Sequence, residues 1–207
     1  MRYDYSLYLV TDRGILGGRD LCRAVEAAIS GGVTLVQLRE KEIASREFYQ
    51  IALALRALTA RYKVPLLIND RLDIALAVDA DGIHIGREDL PLQAARKILG
   101  PGKIIGYSVS SIEEAVYGER IGADYLGAGP VYMTATKAVT TDPLGVEGLK
   151  RIKESVAIPV VGIGGINRDN VREVRKSGAD GVSVVSGILG SSDPARASRL
   201  ILDFWQK

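Results

Sequence analysis

The sequence predicts a single-domain (β/α)₈ barrel that spans residues 1–207. Three observations support this class. Short β-branched and leucine-rich runs alternate with helical patterns along the whole chain, which is typical of βαβ units around a parallel sheet. Eight such units leave about 26 residues for each, near the low end for this fold. A composition that is 47% hydrophobic is sufficient for one sizeable core.

Eight strands are predicted, and a helical segment follows each of them. The strands are short apolar runs bounded by turn signals. They span residues 6–11, 34–38, 66–68, 82–85, 104–107, 125–128, 160–162 and 181–184. If these strands close into a barrel, the loops that follow them meet at one face, where barrel enzymes build their sites. An open, doubly wound sheet is the alternative arrangement.

A weak internal repeat favours the barrel. The segments that begin at Ser30, Gly122 and Ser177 each carry the end of a predicted helix directly into a strand. Such repetition indicates one supersecondary unit that is used several times. The glycines in these segments suit the left-handed backbone at a helix C-terminus, so we interpret them as structural.

Charge, hydropathy and cysteine content exclude several classes of partner. The net charge is only +2, and no run of like charges indicates a nucleic-acid-binding arm. No apolar run approaches membrane-spanning length, and Arg2, Asp4 and three tyrosines interrupt the first ten residues. Cys22 is the only cysteine and lies in a helical pattern, which indicates a structural thiol. We expect a cytoplasmic protein, and the sequence leaves a homo-oligomer open.

Three polar side chains follow the second predicted strand. Gln37 and Arg39 share one face of the strand with Leu35, and Lys41 continues the alternation into the loop. An amide, a guanidinium and an ammonium group at the barrel mouth would suit a phosphate or diphosphate. A solvated charged turn is the alternative, and the local sequence does not decide between the two.

Two carboxylates follow neighbouring strands, Asp70 after the third and Asp89 after the fourth. Mg²⁺ takes one or two protein carboxylates together with waters and substrate phosphate oxygens, so the pair would suit this ion. Each residue has a structural alternative, because an aspartate at either position could cap the helix that follows.

Two further residues are expected near the same mouth. His84, the only histidine, should lie on the inner side of the fourth strand, either in contact with a bound ring or as a hydrogen-bonded core residue. A zinc site is not expected, since no second histidine is present. Ser108 follows the fifth predicted strand and would donate to a phosphate or cap the helix near Ile112.

The connection over residues 127–145 is long for a strand-to-helix loop and contains Thr134, Thr136 and Lys137. Long loops in compact barrels tend to be functional, so we expect this one to close over a phosphorylated substrate. Glycine-containing turns at residues 162–166 and 185–187 follow the last two strands, where many barrels bind phosphate on backbone amides. Tight turns are the alternative for these glycines.

Taken together, these motifs resemble thiamine phosphate synthases. The resemblance is carried by residues 37–41, 69–71, 86–89, 129–137, 162–166 and 185–187, with residues 8–12 at the start, in the same order over nearly the whole chain. It implies a barrel enzyme that joins a hydroxymethylpyrimidine diphosphate to a thiazole phosphate and releases pyrophosphate. It also implies a dissociative route, which needs no enzyme nucleophile, and none is recognisable here.

The resemblance further implies a role for individual residues. The catalytic residues would be Arg39, Lys41, Ser108 and Lys137. The pyrimidine diphosphate would be bound by Gln37, Leu38, Arg39, Glu40, Lys41, Asn69, Ser108 and Lys137. The thiazole phosphate would be bound by Thr134, Ala135, Thr136, Gly165, Val185 and Ser186. Asp70 and Asp89 would hold Mg²⁺.

The chain departs from the family pattern at Met133, where a proline usually precedes the Thr-x-Thr-Lys run. Three other functions are considered: a thiazole tautomerase on the same barrel, a non-catalytic phosphometabolite-binding regulator, and a sugar phosphate isomerase. A tautomerase would not need the diphosphate and Mg²⁺ residues, so their presence favours the synthase. An isomerase would need a facing acid and base, which cannot be assigned without taking Asp70 or Asp89 from the metal.

Overall fold

The barrel closes in chain order. The computed structural model describes residues 3–134 and 142–206, and within them eight parallel strands pair successively, with β8 returning to β1. The strands are β1 (Leu7–Val10), β2 (Leu35–Leu38), β3 (Leu66–Asn69), β4 (Gly82–Ile85), β5 (Ile104–Val109), β6 (Tyr125–Ala128), β7 (Val160–Ile163) and β8 (Gly181–Val184). The predicted (β/α)₈ barrel is confirmed, and the open-sheet alternative is wrong.

Helices surround the strands, and none of those described is long and apolar enough to cross a membrane. In the described ranges they are α1 (Arg13–Leu16), α2 (Leu21–Ser30), α3 (Ser45–Arg61), α4 (Leu72–Ala77), α5 (Leu92–Leu99), α6 (Ile112–Arg120), α7 (Gly145–Ser155), α8 (Val171–Arg175), α9 (Ser186–Leu189) and α10 (Pro194–Gln206). Helix α9 is a short extra helix that begins two residues after β8 ends.

Two cores are separated by the sheet. Inside the barrel, Tyr8, Leu35, Leu67, Tyr125 and Val161 pack together with their neighbours. The alternate residues of the strands point outward into a larger core between the sheet and the helices. Because both faces of each strand are buried, the strands read as continuous apolar runs rather than as an alternation.

The floor of the barrel is held by an acidic residue placed just before each of three even-numbered strands. One carboxylate oxygen of Asp180 accepts from the backbone N–H of Val160 at 2.8 Å and from Lys153 of α7 at 2.7 Å. Asp124 makes the same pair of contacts with Ile105 and with Arg96.

The remaining members of this series occupy equivalent places. Asp81 accepts from the N–H of Leu66 at 2.8 Å and from Arg56 at 3.1 Å. Before β2, the hydroxyl of Thr34 accepts from the N–H of Leu7 at 3.2 Å. Each residue ties the start of one strand to the next. The internal repeat in the sequence is therefore a repeat of strand-helix-strand-helix units.

Candidate active site

A cavity of about 560 Å³ opens where the strands end. Each of the eight strands contributes to its wall, either directly or through the loop that follows it. The residues that line it are Val10, Arg39, Lys41, Asn69, Asp70, His84, Gly86, Arg87, Glu88, Asp89, Ser108, Val109, Ser110, Glu114, Gly127, Gly129, Pro130, Thr134, Ile163, Gly164, Gly165, Ile166, Ser183, Val185 and Ser186. Cations, carboxylates, an amide and hydroxyls from several strand ends therefore converge on one space.

Two cations stand on one side of this cavity, after β2. The backbone N–H of Arg39 donates to the Thr11 hydroxyl at 3.0 Å, and the Arg39 guanidinium lies 3.8 Å from a carboxylate oxygen of Asp12. The Lys41 ammonium donates to Asp70 at 2.6 Å. Neighbouring loops thus hold both cations in place before any anionic ligand arrives.

Asp70 and Asp89 lie in the same part of the wall and influence each other. Burial alone would raise the pKa of Asp70, but hydrogen bonds to Lys41 and Asp89 hold that pKa below its usual value. Burial raises the pKa of Asp89, and the nearby Asp70 carboxylate raises it further. The 2.7 Å hydrogen bond from the Gly86 N–H lowers the same pKa but does not offset these effects. Two carboxylates this close favour a shared cation.

The capping alternative for these two residues is wrong. Helix α4 has Arg71 at its N-cap and α5 has Pro91, and neither helix has a side-chain cap. Asp70 instead has a φ of +60°, an unusual backbone conformation for a residue other than glycine. In the part of the chain that the structure describes, no third acidic, histidine or cysteine residue joins them in a metal-binding group. A cation here would take its other ligands from water or substrate.

Ser108 lies inside β5, one residue beyond the predicted end of that strand. Its predicted alternative as a helix cap is wrong, because the Ser111 hydroxyl caps α6 by accepting from the N–H of Glu114 at 3.2 Å. The Ser108 hydroxyl is 2.8 Å from Nε2 of His84, and both residues line the cavity. His84 lies on the inner face, as predicted.

Two polar atoms in the cavity wall are buried without a partner among the described residues. They are Nδ2 of Asn69 and Oγ of Ser183, and these side chains are 7% and 3% exposed. A buried polar group without a hydrogen bond is costly, so such atoms in a cavity wall indicate contact with a ligand or an ordered water. Sequence reasoning missed Ser183. A hydroxyl in an otherwise apolar strand was the available signal.

The turns after β6 and β7 pack against each other. Gly164 and Gly165 have φ values of +101° and +66°. A Cβ on Gly165 would lie 2.7 Å from the carbonyl oxygen of Met133, so the close approach requires glycine. The N–H of Tyr132 donates to the carbonyl of Gly164 at 3.0 Å. Together with the start of α9 at Ser186, these turns form the wall opposite Arg39 and Lys41.

Both ends of the long loop are anchored beside the cavity. The N–H groups of Leu144 and Gly145 donate to the carbonyls of Pro130 and Val131 at 2.8 and 3.1 Å. Thr134 lines the cavity. The predicted substrate contacts of Ala135, Thr136 and Lys137 lie outside the described residues.

Three residues assigned to the pyrimidine diphosphate by resemblance have side chains directed away from the cavity wall. Gln37 points into the barrel and donates to the Tyr8 hydroxyl. Leu38 is buried in the outer core, and Glu40 pairs with Arg13 at 2.9 Å. Leu38 and Glu40 point outward because successive side chains along a strand alternate faces, and Gln37 and Arg39 occupy the inward positions. A substrate contact from Leu38 or Glu40 would have to use backbone atoms.

The sequence matches the family model described as thiamine monophosphate synthase over residues 7–188. The chain belongs to the thiamine monophosphate synthase family. The matched region runs from the first residue of β1 into α9, and so contains all eight strands and every cavity-lining residue.

Individual members of the thiamine monophosphate synthase family are similar to this chain over all or nearly all of their length. The chain is 56% identical over 206 residues to thiamine-phosphate synthase of Desulfitobacterium hafniense strain Y51, covering 100% of both chains. It is 55% identical to thiamine-phosphate synthase of Clostridium acetobutylicum, covering 99% of this chain and 96% of that one. The structure of thiamine phosphate pyrophosphorylase from Pyrococcus furiosus superposes with a TM-score of 0.90 at 45% identity, covering 99% and 96%.

Proposed function

We propose that this chain is a thiamine-phosphate synthase. It would join 4-amino-2-methyl-5-hydroxymethylpyrimidine diphosphate to 4-methyl-5-(2-hydroxyethyl)thiazole phosphate, giving thiamine phosphate and pyrophosphate. The observation that carries the proposal is the convergence of Arg39, Lys41 and the Asp70–Asp89 pair on one cavity that faces a glycine-rich wall. A substrate with a diphosphate at one end and a partner with a phosphate at the other would match these two walls.

The reaction breaks the bond between the pyrimidine methylene carbon and the diphosphate oxygen. Negative charge develops on the leaving pyrophosphate, so preplaced cations lower the barrier where that charge develops. Arg39 and Lys41 are already oriented by Asp12 and Asp70. The thiazole nitrogen then attacks the pyrimidine carbocation, and the cavity would hold the two rings in reacting geometry.

The carboxylate pair fits a divalent cation. Two hard oxygen donors from neighbouring loops line the cavity, and one of them, Asp70, already accepts a hydrogen bond from the Lys41 ammonium at 2.6 Å. Asp70 and Asp89 would therefore hold Mg²⁺, which supplies positive charge at the diphosphate when it is bound. Lys41 would then turn from Asp70 toward the substrate.

The glycine wall is assigned to the thiazole phosphate. Gly165, Val185 and Ser186 lie together in the cavity lining, and the first N–H groups of α9 have no partner within the helix. Thr134 borders the same space, and Ala135 and Thr136 would complete this side. Lys137 would join the diphosphate side. These substrates are small phosphorylated metabolites, and we place the enzyme in the cytoplasm.

A pyrophosphate-release assay tests the proposal. Purified protein is incubated with Mg²⁺ and the pyrimidine diphosphate, with and without the thiazole phosphate, and the product is identified by mass spectrometry. We expect pyrophosphate release that depends on the thiazole phosphate and yields thiamine phosphate. Saturable thiazole phosphate binding without any coupled product would contradict the synthase and support the tautomerase or the regulator.

A further inference from the structure

We propose that Tyr8 and Tyr125 are positioning residues that act through His84 and orient the Ser108 hydroxyl as a hydrogen-bond donor toward the cavity. The inference deepens the proposed function, since it rests on Ser108 contacting the pyrimidine substrate. Neither tyrosine lines the cavity itself, so an effect on a substrate would be transmitted through His84, which does.

A continuous chain of hydrogen bonds crosses the interior of the barrel. Gln37 donates to the hydroxyl of Tyr8, which lies 2.8 Å from the hydroxyl of Tyr125. The Tyr125 hydroxyl is 2.8 Å from Nδ1 of His84, and Nε2 of His84 is 2.8 Å from the Ser108 hydroxyl. The first four residues are all buried. We call this chain the relay.

The direction of the relay follows from counting protons. An amide nitrogen carries hydrogens and accepts none, so Gln37 must be the donor to Tyr8. If Tyr8 then accepted from Tyr125 as well, its own buried proton would have no acceptor within the relay. Tyr8 therefore donates to Tyr125, and Tyr125 donates to Nδ1 of His84. Nδ1 is then unprotonated.

A neutral imidazole with an unprotonated Nδ1 carries its proton on Nε2. Nε2 donates to the oxygen of Ser108, and the proton of Ser108 is left to point into the cavity. Ser108 would thus present a donor to an acceptor atom of the ligand, such as an unprotonated ring nitrogen. The opposite orientation of the Gln37 amide would reverse every step and present an acceptor instead.

The barrel interior is shaped to admit this relay. A Cβ on Gly106 would lie 2.2 Å from Cζ of Tyr125, and a Cβ on Gly127 would lie 2.9 Å from Cε1 of His84. Two inward-facing positions of β5 and β6 must therefore be glycine. Burial raises the pKa of both Tyr8 and Tyr125 well above the usual tyrosine value, so both phenols keep the protons that the relay uses.

A single measurement tests the direction, because His84 is the only histidine in the chain. Untagged protein labelled with ¹⁵N-histidine is studied without substrate by long-range ¹H–¹⁵N correlation, which reports the protonation of both ring nitrogens. We expect one ring system, protonated at Nε2 and accepting a hydrogen bond at Nδ1. Protonation at Nδ1 would overturn the proposal.

Two variants test transmission, and a third provides a matched control. Tyr8→Phe and Tyr125→Phe each cut the relay and should populate both tautomers of His84. The Tyr5 ring packs on Tyr125 with centroids 4.9 Å apart, but its hydroxyl is not part of the relay. Tyr5→Phe should leave the spectrum unchanged. A fixed Nε2 tautomer in both relay variants would contradict transmission.

Steady-state kinetics separate positioning from a merely structural role. Tyr125→Phe should raise the KM for the pyrimidine diphosphate roughly three- to tenfold, as expected for one misdirected hydrogen bond, with a smaller effect on kcat. An unchanged KM in a folded Tyr125→Phe protein would overturn the role in binding. A protein with the expected tautomer but no turnover would contradict the proposed function and leave the relay intact, because the spectrum is recorded without substrate.

Discussion

At the barrel mouth, the charged side chains proposed to bind the diphosphate and the metal have partners on a neighbouring loop or within their own loop. Arg39 lies near Asp12, Lys41 is bonded to Asp70, and the Gly86 N–H holds Asp89. Such side chains need little reorganisation when charge develops on a bound substrate, which is where electrostatic stabilisation is most effective. The same contacts make single substitutions at these positions informative about chemistry rather than about folding.

Arg39→Ala should lower kcat/KM by about 10²- to 10³-fold, the usual loss when one preplaced transition-state contact is removed. Pyrophosphate release measures the effect, and the thermal midpoint should stay close to that of the parent protein. Arg199→Ala, on the exposed surface of α10, is the matched control and should have full activity. Equal activities of the two variants would remove Arg39 from the diphosphate site.

Asp70→Asn combined with Asp89→Asn should abolish the response of the enzyme to Mg²⁺, because each change removes one carboxylate charge from the metal site. Activity is measured over a Mg²⁺ titration. Asp203→Asn, on the exposed face of α10, serves as the control and should titrate like the parent. A double variant with a normal Mg²⁺ titration would place the metal elsewhere.

Ser183→Ala should raise the KM for at least one substrate and leave the protein as stable as before, or more stable by up to about 1 kcal/mol. The reason is that its buried hydroxyl has no partner among the described residues. Ser198 in α10 is also buried, does not line the cavity, and has a hydroxyl without a partner in the part of the chain that the structure describes. Ser198→Ala should therefore match the stability effect of Ser183→Ala and leave KM unchanged. A clear loss of stability in Ser183→Ala would instead show a bond to the protein.

At the scale of elements, the aspartates on the barrel floor join strands to the preceding helices. Asp180 receives the Val160 N–H and the Lys153 ammonium on one oxygen. The Asp180 carboxylate thus provides an acceptor for the N–H of Val160, the first residue of β7, at the point where the strand begins. The candidate active site lies at the opposite end of the barrel, so substitutions in the floor should change stability without changing the site.

Asp180→Ala should lower the free energy of unfolding by about 2 kcal/mol, since it leaves a backbone N–H and a lysine without their charged acceptor. Chemical denaturation measures the loss. Asp203→Ala is the control for removing a surface carboxylate from the same region of sequence. An Asp180→Ala protein that unfolds like the parent, or one that loses kcat at full stability, would contradict a purely structural role.

Across the whole molecule, α10 brings the end of the chain back against α2, beside the pairing of β8 with β1 that closes the barrel. Helix α10 packs between α2 and α8 and buries Ile201 and Trp205. The contact with α2 is so close that a Cβ on Gly31 would lie 2.2 Å from the carbonyl oxygen of Ala195. Residues at opposite ends of the chain thus share one tightly packed interface.

Gly31→Ala should destabilise the protein by about 3 kcal/mol, because the added methyl group meets backbone that cannot move without displacing α10. Gly102→Ala is the matched control, since a Cβ there meets open space and needs no unusual φ. Thermal unfolding of both variants measures the difference. If the two variants unfold at the same temperature, α10 is not held by this contact.

Much of the fold was predictable, because a parallel barrel repeats one local pattern. The predicted and observed bounds of the fourth, sixth and eighth strands coincide, and the others differ by one or two residues at an end. The most consequential difference is Ser108, which lies within β5 rather than after it. Hydrogen bonding to β6, not local composition, determines how far that strand continues.

The sequence predicted the positions of the site residues better than the contacts between them. Motifs placed Arg39, Lys41, Asp70 and Asp89 after the correct strands, and strand alternation placed His84 inside. Several partners are distant in sequence, and no spacing rule connects Lys41 with Asp70 or Tyr8 with Tyr125.

The number and order of the strands, the inward side of His84 and the family could all be predicted from the sequence, because they depend on periodicity and motifs within short segments. Which side chains meet is visible only in the folded chain: the Lys41–Asp70 pair and the relay from Gln37 to Ser108. The same holds for the polar atoms of Asn69 and Ser183, which have no partner among the described residues. The physical reason is closure. The tilt and register of eight strands set the distances across the barrel, and no one strand contains them.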